Sequence, residues 1–165
     1  YPYYKDSMYP PHVAFYIAHE LGHAGLGHLQ PGYAVVDLED DGLTPPDVDP
    51  EEASADRFAL ELLTGVSAPT VLPSLGSSIS AAGLADAALS ASKELRIEAG
   101  TLALCFGYST GNWRVANAAM SRIYSTPKPV WREINQVAAR ELLGDRLPGD
   151  AAPFLTAVMG GIGPA

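Results

Sequence analysis

The pentapeptide His19-Glu20-Leu21-Gly22-His23 constrains this chain more than any other feature in it. Residues four apart lie one above the other on a helix, so two histidines at this spacing converge when the backbone between them is α-helical. The flanking residues agree. Val13, Ile17, Leu21, Ala24 and Leu26 recur at near-helical spacing, Pro10-Pro11 stands where a helix start tolerates proline, and Pro31-Gly32 is the first strong stop. A helix over His12 to Leu29 is expected.

Two imidazoles on one helical face can hold a single Zn²⁺, and Glu20, beside the first of them, is placed to take a proton from water. Metal-assisted hydrolysis needs a third protein ligand. The H-E-x-x-H-x-x-G-x-x-H pattern does not supply it, because Leu26 and Leu29 stand where its glycine and last histidine belong. His28 is one residue out of register, about 100° around a continuing helix, and reads as a helix-end or outer residue that supports a ligand. His12 is weaker still. Glu52 and Asp56, four apart in Glu52-Ala53-Ser54-Ala55-Asp56, fit better: Glu52 as the third ligand, Asp56 as a carboxylate orienting a ligand histidine through its free ring N–H. Glu51 is the fallback. Gly22 and Gly27 each cost about 1 kcal/mol inside a helix, which calls for an offset: close approach of another backbone or substrate, or plain helix packing.

The remainder reads as mostly helical. Glu51 to Leu63 follows Pro50 with acidic residues in its first turn, Ala55 and Ala59 share a face with Phe58 and Leu62, and a core stripe of Phe58, Leu62 and Leu63 is expected. Further helices are expected at about Ala81 to Leu95, Glu98 to Phe106, Asn112 to Tyr124, Val130 to Leu143 and Ala151 to Met159. A short strand is expected at Tyr33 to Val36. Asp37, Glu39, Asp41 and Gly42 resemble the start of a calcium loop, but Val48 stands where its closing glutamate belongs, so a solvated loop is the reading. The expected architecture is a single α+β domain over residues 1–165, mainly helical with a small early sheet. Residues 1–65 form its metal-site half and 79–165 its helical C-terminal part.

A formal charge of −9 disfavours direct nucleic-acid binding. No apolar run is long enough to span a bilayer, and the first residues lack a leader pattern. The one cysteine, Cys105, lies in the apolar run Leu102 to Phe106 and reads as a buried thiol. A cytoplasmic protein is expected.

The block from Ala18 to His23 through Leu26-Gly27-His28, with the later Glu52-x-x-Ala55-Asp56-x-Phe58-Ala59-x-x-Leu62-Leu63, resembles the ImmA/IrrE family of metallopeptidases. Glu94-Leu95-Arg96-Ile97 to Tyr108, Trp113 and Ala116-Asn117-Ala118-Ala119 are similar to its helical C-terminal part. The family's Leu-Leu-Met-Pro ending is here Leu62-Leu63-Thr64-Gly65, a departure that bears on substrate contacts more than on the metal. The resemblance implies a cytoplasmic zinc endopeptidase that cleaves helix-turn-helix transcriptional repressors. Two other readings stand beside it: a zincin-like module that binds a partner without catalysis, and a zincin of another class. No histidine follows His28, so an oxyanion donor must be of another type; Tyr33, Tyr108 and Arg114 are candidates without assignment.

Overall fold

The computed structural model describes residues 9–29, 49–66, 79–126 and 130–142, together with residues 153 and 157. These form six helices: α1 Pro10–Leu26, α2 Pro50–Thr64, α3 Ala81–Leu95, α4 Ala99–Thr110, α5 Trp113–Ile123 and α6 Val130–Leu142.

The expected α+β class is corrected: among the described residues the protein is all-helical and contains no strand. The physical reason is local. Each helix satisfies its backbone along its own axis, leaving no extended edge to pair, and α2, α3, α4 and α5 each begin on a side-chain cap. Asp49 accepts from Glu51 N–H at 2.9 Å, Ser80 from Gly83 at 3.1 Å, Glu98 from Thr101 at 2.8 Å and Asn112 from Val115 at 3.3 Å. Gly65 and Gly111 close α2 and α4 in the left-handed conformation. The strand expected at Tyr33 to Val36 and the acidic loop from Asp37 to Gly42 lie outside the described residues. So does the expected last helix, save residues 153 and 157.

Helix α4 is the centre. Residues Ala99 to Gly107 are all buried, and a helix apolar on every side is one surrounded by others. Helices α3 and α5 pack on it and on each other, while α1 and α2 pair closely and meet α4 on another side. The joint core includes Phe15, Ala18, Ala59, Leu60, Leu84, Leu104, Phe106 and Met120.

The face that α1 buries differs from its most apolar sequence stripe. Val13, Phe15, Ala18, Gly22 and His23 are buried, whereas Ile17, Leu21 and Leu26 are exposed. In α2, Leu60 is buried while Leu62, expected in the core, is 56% exposed. Small residues decide this. A Cβ on Gly22 would lie 3.1 Å from Ala55 Cα and 3.2 Å from Ala55 O, so the two backbones approach at a glycine–alanine contact that larger side chains would block. Helix packing therefore accounts for Gly22. Gly27 is not inside a helix at all; with φ 80° it caps the C-terminus of α1.

Candidate metal centre

The α1–α2 contact aligns the residues singled out by spacing. His19 and His23 project from α1 toward Glu52 and Asp56 on α2. The Nε2 atoms of His19 and His23 lie 3.0 Å apart, Glu52 Oε2 lies 3.1 Å from His19 Nε2, and Glu52 Oε1 lies 3.2 Å from His23 Nε2. Ligands about 2.0–2.1 Å from a tetrahedral zinc are separated by about 3.3 Å. The cluster is slightly tighter than that, with all three donor groups mutually within 4.8 Å, and it can hold a metal ion.

Asp56 stands on the far side of His19, its Oδ1 2.9 Å from Nδ1. An ionised carboxylate only accepts, so His19 donates from Nδ1, and in the neutral ring that a metal ligand requires Nε2 is the bare nitrogen facing the cluster. The arrangement is that of a carboxylate orienting a metal-binding imidazole. Ordered burial accompanies it: the side chains of His19 and His23 are 12% and 6% exposed, but Glu52 is 39% exposed. The imidazoles are fixed in the interior while the carboxylate side of the cluster faces solvent. Glu20, next to His19, is exposed on α1, and Glu51 is exposed at the start of α2. Among the described residues Glu51 is not part of the cluster; Glu52 is.

His28 lies just past the end of α1 rather than on a continuing helix. The left-handed Gly27 turns the chain so that both Gly27 N–H and His28 N–H donate to His23 O, the latter at 3.0 Å. The His28 ring folds back with Nδ1 3.0 Å from His23 Nδ1, and its Nε2 lies 3.3 Å from Ser54 Oγ on α2. His12 is remote from the cluster; its ring is bonded by the Asn117 side chain.

Residues not anticipated from the sequence also border the site. Ser54 is the third residue of the Glu52–Asp56 segment and carries no signal in spacing alone. Tyr16, one turn before Glu20, feels the Asp56 carboxylate: burial first, and then that negative charge, push its phenol above its ordinary range. Of the suggested oxyanion donors, Tyr108 packs against Phe15 and Trp113 at ring separations of 4.7 and 4.8 Å, Arg114 is exposed on α5, and Tyr33 lies outside the described residues.

Among the described residues no helix is long and apolar enough to cross a membrane. Comparison of the chain with protein-family models, with curated proteins and with solved structures returns no match.

Proposed function

We propose that the chain is a zinc-dependent endopeptidase, with His19, His23 and Glu52 as zinc ligands, Glu20 as general base and Asp56 as the group that orients His19. The observation that carries this is the convergence of His19 Nε2 and His23 Nε2, 3.0 Å apart, on the Glu52 carboxylate, whose Oε2 lies 3.1 Å from the first and whose Oε1 lies 3.2 Å from the second, backed by Asp56. Imidazole and carboxylate donors suit zinc. Bound there, zinc supplies Lewis-acid chemistry, polarising a scissile carbonyl and making water a nucleophile near neutral pH.

The chain's own residues do the rest. Glu20, exposed on α1 and next to His19 in the sequence, takes a proton from the attacking water and delivers it to the leaving amine. Asp56 keeps His19 in one tautomer and one orientation.

The substrate class rests on the ImmA/IrrE resemblance alone: a helix-turn-helix transcriptional repressor, cleaved in the cytoplasm. An acidic protein with formal charge −9 suits a basic, DNA-binding substrate better than DNA itself. The single buried Cys105 suits a reducing compartment. The competing reading, a zincin-shaped binding module, gives no reason for a carboxylate at Glu20.

Elemental analysis tests the metal assignment before any substrate is known. Near one zinc per chain is expected in the parent and in Glu20→Gln, and a loss in His23→Ala and Glu52→Gln. Glu20→Gln is then the inactive trap for capturing a repressor. A parent that holds no zinc after reconstitution removes the enzymatic reading.

A further inference from the structure

His23 poses a question that His19 does not. Asp56 dictates the tautomer of His19, but the outer nitrogen of His23 meets no carboxylate; it meets another imidazole, 3.0 Å away. Metal binding requires a neutral imidazole, and a neutral ring donates at one nitrogen and accepts at the other, so with both rings neutral the pair is ambiguous in isolation. The ambiguity ends two bonds further out. Ser54 Oγ lies 2.9 Å from the backbone carbonyl of Glu51, which only accepts, so the single hydroxyl proton is committed there. Ser54 Oγ must then accept from His28 Nε2–H at 3.3 Å. His28 Nδ1 is left bare and accepts from His23 Nδ1–H at 3.0 Å. The result is a bare His23 Nε2, aimed at Glu52 and at the equally bare Nε2 of His19.

We infer that His28 and Ser54 are positioning residues for the metal centre: a relay from the Glu51 carbonyl through Ser54 and His28 holds His23 in the tautomer whose Nε2 faces the site. This inference rests on the metal site proposed above. The relay does for His23 what Asp56 does for His19, with a neutral acceptor in place of a charged one. Its parts come from both helices. Gly27 folds His28 back over the end of α1, and Ser54 stands on α2 between Glu51 and Asp56, so the relay also ties the two ligand-bearing helices together.

The relay makes a chemical demand on position 28 that mere packing would not: an acceptor where Nδ1 now lies. Asparagine carries an oxygen at the equivalent point of its side chain, while alanine carries nothing. Zinc affinity, measured by competition with a chelator, is expected to fall about 10–100-fold in His28→Ala, to recover most of that loss in His28→Asn, and to fall less in Ser54→Ala. In zinc-loaded, ¹⁵N-labelled protein the His23 Nδ1–H proton is expected as a slowly exchanging signal in the parent and His28→Asn, and as a rapidly exchanging one in His28→Ala. Thermal melts of the zinc-free variants control for folding, and should His28→Ala not fold, His28→Asn and Ser54→Ala carry the comparison against the parent. Equal zinc affinity in the parent and His28→Ala overturns the relay while leaving the zinc site intact. Metallation of His28 itself, or of His23 through Nδ1, overturns it also. A parent that takes up no zinc overturns both readings together.

Discussion

Asp56 on α2 accepts a hydrogen bond from Nδ1 of His19 on α1 at 2.9 Å, and this one contact crosses between the two helices that carry the proposed ligands. It converts a tertiary contact into a chemical property, since the nitrogen facing Glu52 is bare only while the other is a donor. Asp56→Asn keeps the size but offers the wrong partner in one of its two amide orientations and no charge in either. Zinc affinity is expected to fall about 10–100-fold, measured by chelator competition, with the helical content of the zinc-free protein unchanged by circular dichroism.

Gly22 sits where α1 and α2 come closest. Alanine there gains about 1 kcal/mol of helix propensity, but its Cβ would meet Ala55 Cα at 3.1 Å and Phe58 Cδ1 at 3.2 Å. The first is backbone and moves only if the whole of α2 moves. Overpacking of this kind costs about 1–3 kcal/mol, so Gly22→Ala is expected to lose about 1 kcal/mol in urea unfolding, with weaker zinc binding because the same displacement separates Glu52 from His23.

Acid sensitivity should trace in part to His12. Burial lowers its pKa below the ordinary 6.5, against the raising effect of the Asn117 bond, and its Nδ1 is buried with no hydrogen-bond partner among the described residues. The unfolded chain therefore takes up this proton more readily than the folded one. The stability contributed by a neutral His12 is present above the unfolded value and lost as pH falls through the lowered folded one. Urea unfolding from about pH 7.5 to about pH 5 is expected to show a steeper acid decline in the parent than in His12→Gln; parallel profiles would refute the assignment. His19, His23 and His28 are common to both proteins and cancel in the difference.

At the alkaline end the relevant group is Cys105. It is 1% exposed, and burial pushes its thiol from 9.0 up to about 12. Here the folded value is raised, so the contribution is complete below 9.0 and is lost as pH rises toward about 12. Cys105→Ala removes the ionisable group. Its stability should fall less steeply above pH 9.0, by up to about 1.4 kcal/mol per pH unit. The native thiol should also react with a disulfide reagent only at the rate of unfolding.

Helix positions were largely legible in the sequence because they depend on local signals. Ala81–Leu95 is the helix expected, and α2, α5 and α6 begin and end within a residue or so of expectation, since proline, serine and asparagine caps act on the nearest backbone amides. Where a local signal was overlooked, the boundary moved: α1 stops at Leu26 rather than Leu29, because Gly27 takes the left-handed conformation and His23 O accepts both amides that follow. Fold class was not legible in the same way. A strand needs a partner, and among the described residues no segment offers one.

The sequence by itself determined the candidate donors. Histidines four apart on a helix, and a glutamate and aspartate four apart on another, can each serve one point in space, which is a property of helical geometry and survives any packing. Only the tertiary structure decided that these two points coincide. It also decided which side of each helix is buried, in favour of Ala18, Gly22 and Ala55 over Ile17, Leu21 and Leu62. Both outcomes follow from the close approach at Gly22 and Ala55: the absence of a side chain at one position lets two backbones come near enough for His23 and Glu52 to lie 3.2 Å apart, and for Ser54 to reach His28.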